Sequence, residues 1–316
     1  MMRQPAMKLL ALAALVAASC VAIVWFTPLD HNIFLAASRS KHDRLARTPP
    51  PRIVLVGGSN VSFGVDSRLL QERTGYAVVN MALHIGLGLR FMLNEIRDEL
   101  RPGDFVVIIP EYSLLLDGSQ VLLELDLFYP RAFAYMDWRN FSIVATKFPI
   151  TLQRRFKSFL KLFLLNRKRK ALKGYGKDDF NEFGDVIGHL GRKPFKNLGH
   201  LEIPSGLAQW REGEQALVFL NRLQEQLSSR GVRFFFSFPP CPASQYPKNG
   251  AGEEFYDWVK KRLAFPVVGH PRETVFPDEY FYDTYYHLLA RGRQERTEKL
   301  ARQLAPYLPP TRPPGL

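Results

Sequence analysis

Continuous apolar runs, separated by stretches with helical periodicity, restrict the fold of this chain more than any other feature. Phe105-Val106-Val107-Ile108-Ile109 carries no polar side chain, and neither does Ile53-Val54-Leu55-Val56. A strand with one wet face alternates apolar and polar residues, whereas runs like these belong to parallel sheets covered on both faces. Further strands are expected at 76–81 and 232–238, with a weaker fifth near 266–268. Between them, 87–100 reads as an amphipathic helix stopped by Arg101-Pro102-Gly103, and 212–230 as a long helix ended by Gly231. A last helix is expected over 288–308. Alternation of this kind predicts an α/β fold, a doubly wound parallel sheet of about five strands in the flavodoxin-like manner.

The flanks divide the chain further. Residues 9–26 hold no charge over eighteen positions, with Arg3 and Lys8 before them, which is enough apolar length to cross a bilayer as a helix. A cleaved signal ending near Ala17-Ala18-Ser19, or a lipoprotein site at Cys20, is the rival reading. Val21-Ala22-Ile23-Val24-Trp25-Phe26 extends the apolar run past such a cut, and this favours an uncleaved anchor over 1–27 with Trp25 at the interface. Residues 28–51, ending in Pro49-Pro50-Pro51, read as a stiff linker. The α/β domain then covers 52–308, with a helical insertion at about 113–211, and 309–316 is a Pro-rich tail.

Formal charge is +13, yet ten Lys or Arg and no acid lie between Arg154 and Lys177. Phe156, Phe159, Leu160 and Phe163 are interleaved with those cations. A solvated helix face is the plain explanation; an amphipathic helix against anionic lipid fits the composition better. No nucleic-acid recognition motif accompanies the charge, so no nucleic acid partner is expected. His31, His42, His189, His200 and His270 have no paired ligand spacing, and no metal or other cofactor is expected. Cys20 and Cys241 form no pair in sequence.

Two elements carry chemistry. The first strand ends in Gly57-Gly58-Ser59-Asn60, a tight turn that sets a serine at the start of a helix. Near the other end, Asp283 and His287 share one short segment, with Tyr282, Tyr285 and Tyr286 around them either as packing or as a sugar-binding rim. A serine, an imidazole and an orienting carboxylate form the set that nucleophilic acyl chemistry needs. Taken alone, the turn is also what a serine cap or a phosphate-binding loop looks like, and the second element what a capping aspartate and a surface histidine look like.

Together these residues resemble the SGNH (GDSL-type) hydrolase superfamily, over roughly 52–112 and 232–306. Gly57-Gly58-Ser59 is similar to its serine block, with glycine where aspartate is usual. Val79-Asn80-Met81-Ala82-Leu83-His84-Ile85-Gly86 is similar to the second block. Asp283 to His287 resembles the last, with one residue more than the common Asp-x-x-His. The resemblance implies Ser59 as nucleophile, His287 as base and Asp283 as its orienting acid. It implies an oxyanion hole from the backbone of Ser59 and Gly86, with Gly88 as second choice. The third block departs: Ile109-Pro110-Glu111-Tyr112 stands where Gly-x-Asn-Asp is usual. Asn60 or Tyr112 is then the substitute donor, because an ionised Glu111 cannot donate. Gly58, Asn80, His84, Gly88, Glu111 and Tyr112 are the expected cleft residues.

The anchored architecture is similar to extracytoplasmic members of that superfamily related to alginate O-acetylation factors and the D-alanine transfer protein of teichoic acids. Such a resemblance implies a single-pass protein of the cytoplasmic membrane whose domain lies outside the cell or in the periplasm. Its expected partners are membrane lipid, a multipass membrane-bound O-acyltransferase and a polysaccharide or other acylated substrate. A catalytically silent scaffold and a lipase-like esterase are the alternatives.

Overall fold

In a computed structural model of the 316-residue chain, the described residues are 3–26, 34–118, 120–125, 129–136 and 174–310, with scattered positions between 146 and 160. Helix α1, Arg3–Phe26, coincides with the expected anchor. The side chains at 21 and 23–26 lie outside the described set, and among the described residues no helix is long and apolar enough to cross a membrane. Helix α2, Ala37–Arg47, corrects the expected linker: it is packed on the domain, with Ala37, Lys41, His42 and Leu45 buried. Its sequence looks like a solvated spacer because polar groups hold it. Lys41 Nζ donates to the Asn80 carbonyl at 2.9 Å and to the Gly184 carbonyl, and the His42 ring sits between Glu95 and Glu99 at 3.2 and 2.9 Å. Burial opposes the charge on His42, but its bonds to the two glutamates prevail and raise it to about 9. Burial lowers Lys41 to about 7 against the pull of Asp185 and Glu95.

The sheet is built from β1 (Arg52–Gly57), β2 (Ala77–Asn80), β3 (Phe105–Ile109) and β4 (Arg233–Phe236), all parallel, in the order β2-β1-β3-β4. The expected fifth strand is reduced to one bridge, Phe236 to Val267, flanked by Phe236 N to the Pro266 carbonyl and Val268 N to the Phe236 carbonyl. A separate two-stranded pair joins Cys241–Pro242 to Val275–Phe276.

Side chains leave each strand alternately, and both faces are apolar. Val54, Val56, Val106, Ile108, Phe234 and Phe236 enter one core; Ile53, Leu55, Phe105, Val107, Ile109 and Phe235 enter the other. Helices α3 (Ser59–Ser62) and α4 (Ser67–Thr74) flank the second core, into which Val61 and Leu70 pack. Leu89–Arg97 and Leu207–Ser228 cover the first, and Ala290–Leu304 adds Leu300, Ala301 and Leu304 to the second. Each such burial stabilises by roughly 1.5–3 kcal/mol per large side chain. The continuous runs are therefore explained by helices on both sides.

Between 113 and 211 the described residues form a short helix, Gln120–Leu125, a 3-10 turn, Pro130–Tyr135, and an irregular stretch from 174. The basic stretch 152–173 lies almost wholly outside the described residues. Asp185, fully buried, pins the irregular stretch to the domain. It accepts from Ser67 N and Oγ, Asn80 Nδ2, Asn181 Nδ2 and Arg293 Nη2.

Candidate active site

In an open parallel sheet, groups that act on ligands gather beyond the carboxyl ends of the strands, where the chain turns back on itself. Here the chain runs from β1 outward to β2, then crosses to β3 on the other side, so that point lies between β1 and β3. Ser59 follows β1 by two residues and Glu111 follows β3 by two, with Gly57 in register with Ile109. Asn60 Nδ2 donates to the Ile109 carbonyl at 3.0 Å and locks the two turns together.

The carboxylate and imidazole arrive on a tight loop before the last helix. Tyr282 N donates to the His287 carbonyl at 2.8 Å, and Phe281 bridges Leu288 in antiparallel fashion, so the chain folds back within six residues, 282–287. Asp283 Oδ1 and His287 Nδ1 are 2.8 Å apart. Phe63, whose N–H donates to the Ser59 carbonyl at 2.9 Å, stacks on the His287 ring at 3.9 Å and 11°. One turn of helix thus carries Ser59 and the ring that positions the imidazole. Ser59 is part-exposed, and neither its N–H nor its hydroxyl has a hydrogen-bond partner among the described residues. The oriented Asp–His pair is linked to the turn of Ser59 through the Phe63 ring, and no Ser59–His287 hydrogen bond is formed.

Tyr175 belongs to this cluster and has no motif to announce it. Its hydroxyl donates to Asp283 Oδ2 and lies 3.1 Å from His287 Nδ1. Burial works against the charge on Asp283, but the bonds from His287 and Tyr175 hold its carboxyl below the ordinary range. His189 supports the loop by bonding the Leu288 carbonyl at 2.8 Å through Nε2; burial lowers it to about 4, so the ring is neutral. Phe63 meets this ring too, tilted by 51° at 4.7 Å.

The expected oxyanion donors fare unevenly. Gly86 N donates to His84 Nδ1 at 2.9 Å, so this N–H is occupied by a side chain two residues away. An Nδ1 that accepts leaves the proton on Nε2. Burial, then the charge of His287, lowers the His84 pKa and favours that neutral ring. The Asn60 amide is spent on Ile109 and fully buried. Asn80 is buried too, bound to Asp185 at 2.8 Å, and does not line a cleft. Tyr112 turns its ring into the core against Phe255, while its N–H donates to Tyr286 Oη at 3.1 Å. At Gly88 a Cβ would meet Gly118 N at 2.3 Å and φ of +76° demands glycine, while its N–H donates to the Ile85 carbonyl at 2.9 Å and is not free as an oxyanion donor. At Gly58 a Cβ would meet Glu111 Oε1 at 2.8 Å and Ile85 N at 3.2 Å, so this glycine lets three turns converge.

Among the described residues no group of three or more His, Cys, Asp or Glu side chains could hold a metal ion. The chain matches no protein-family model and no curated protein.

Proposed function

We propose that this chain is a serine acyltransferase or esterase of the SGNH type, acting outside the cytoplasm on acyl groups, O-acetyl above all, of a cell-surface polysaccharide. The observation that carries this reading is the 2.8 Å Asp283–His287 pair, held against the turn of Ser59 by the ring of Phe63. In the mechanism Asp283 keeps the imidazole proton on Nδ1, which leaves Nε2 as the base. Ser59 Oγ attacks the acyl carbonyl and its proton passes to His287 Nε2. The Ser59 N–H receives the oxyanion, and His287 returns the proton to the leaving alcohol. The acyl-serine is then resolved by a sugar hydroxyl or by water, again with His287 as base.

The apolar, uncharged stretch 9–26 supports an anchor in the cytoplasmic membrane, and Leu9, Leu10, Leu12 and Leu15 are exposed along α1. Membrane lipid, a multipass O-acyltransferase and an acylated polymer are the partners this reading implies. A catalytically silent scaffold is the second reading; the engagement of Gly86 N–H by His84 and the unmade Ser59–His287 bond favour it. Turnover of p-nitrophenyl acetate and of O-acetylated oligosaccharide by the full-length chain in detergent separates the two. Ester cleavage or acetyl transfer that vanishes in Ser59→Ala supports the enzyme, and equal rates in both proteins support the scaffold.

A further inference from the structure

Glu111 stands where the resemblance leads one to look for an amide, and its surroundings are unusual for a carboxylate. The chain on either side of it is tied to the chemistry: the Ile109 carbonyl, two residues before, to Asn60 beside the serine, and Tyr112 N, directly after, to Tyr286 beside the histidine at 3.1 Å. The carboxyl oxygen Oε1 lies against the backbone of Gly58, the residue before Ser59, at 2.8 Å from where a Cβ would be. Its carboxyl has no hydrogen bond and no ion pair among the described residues. No described residue holds an anion there.

We infer that Glu111 acts as a neutral carboxylic acid, donating a hydrogen bond to the oxyanion formed when Ser59 attacks an acyl group. This deepens the serine reading and rests on it. Glu111 is partly exposed as a residue, but burial of its carboxyl pushes it up to about 8, so it keeps its proton at neutral pH. The titratable groups facing it from the 280–289 loop are Tyr285 and Tyr286, both raised by burial and by Glu111 itself, and therefore uncharged. His287 and His84 stand on the adjoining turns, and among the described residues no cation contributes to the Glu111 shift.

The step balances without transfer at Glu111. The Ser59 Oγ–carbon bond forms, the carbonyl π pair moves to oxygen, and the serine proton goes to His287. Glu111 shares its hydrogen with that oxygen and retains it when the alcohol leaves. A donor of this kind does the work of a backbone N–H in a site whose Gly86 N–H is already engaged. An acid held neutral by an apolar setting suits that task.

The test is the pH profile of kcat/KM for p-nitrophenyl acetate with the full-length chain in detergent, for wild type, Glu111→Gln and Glu111→Ala, with Ser59→Ala as baseline. Glutamine keeps a donor and loses the titration. It should stay within about threefold of wild type at pH 7, while alanine falls about 100-fold, the loss typical of one oxyanion donor. Above about pH 8 wild type should decline as Glu111 ionises, and the glutamine variant should not. Two outcomes overturn the role: a glutamine variant as slow as alanine, which makes the carboxylate a base, or a wild-type profile that residue 111 does not alter. Should alanine fail to fold, the comparison of wild type with glutamine still decides. Ser59-independent turnover removes the serine reading itself, and a profile indifferent to residue 111 with Ser59-dependent turnover removes only the donor.

Discussion

Tyr175 donates its hydroxyl hydrogen to Asp283 Oδ2 and places the same oxygen 3.1 Å from His287 Nδ1. Both carboxylate oxygens are thereby engaged, one by the imidazole and one by the phenol. The insertion, which carries no motif of the α/β pattern, supplies one edge of the Asp–His pair. A carboxylate stabilised twice holds the imidazole orientation more firmly than one bonded once.

Removing that hydroxyl should weaken the pair without dismantling it. Tyr175→Phe should lower kcat/KM for p-nitrophenyl acetate about tenfold, one hydrogen bond to a charged group being worth about 1.5–3 kcal/mol in full and only part of it reaching the transition state. Asp283→Asn should cost about 10⁴-fold, because the amide favours the wrong imidazole tautomer. Equal losses in the two variants would show that the tyrosine does more than support the carboxylate.

Gly58→Ala should inactivate through crowding. The added Cβ would lie 2.8 Å from Glu111 Oε1 and 3.2 Å from Ile85 N, and overpacking of this kind costs about 1–3 kcal/mol. The flexible partner is Glu111, so Gly58→Ala combined with Glu111→Ala should be more stable than the sum of the single effects. A double-mutant cycle in urea measures that coupling, and additive effects would mean that the two residues do not meet.

Stability should depend on pH through Glu111 in a stated direction. Its folded pKa, about 8, exceeds its model-peptide value of 4.5. The native state thus binds the proton more tightly than the unfolded one. That contribution is fully present below about 4.5 and is lost as pH rises through about 8. Glu111→Gln should therefore gain on wild type between pH 4.5 and 8 in denaturation midpoint, and hold the advantage above. A constant difference across that range contradicts the protonated state.

The Arg52–Asp104 pair anchors the start of the sheet. Both side chains are fully buried, 3.1 Å apart, and Arg52 also bonds the Leu45, Thr48 and Glu99 carbonyls. Asp104→Ala leaves the guanidinium unpaired and should cost about 3–5 kcal/mol in urea unfolding. Replacing both residues by apolar ones of similar volume should recover much of that loss.

The sheet was legible because burial on both faces requires unbroken apolar runs, and those runs survive in any reading of 53–56 or 105–109. Helix Ala37–Arg47 was not, since Lys41 and His42 are buried by partners at 80, 184, 95 and 99 that no local pattern predicts. Asn60 and Asn80 sit beside strand ends where a cleft amide would sit, yet both serve the scaffold. The His84–Gly86 bond is local and was readable in principle, as a polar side chain capping a turn two residues on. Tyr175 meets Asp283 across 108 positions, and only the folded chain joins them.

The most direct test of the serine reading is covalent labelling of the full-length chain by a fluorophosphonate, with the modified peptide located by mass spectrometry. An adduct on Ser59 alone is expected, absent in Ser59→Ala and formed at least about 100-fold more slowly in His287→Ala. An adduct on another residue, or none on a folded chain, contradicts it.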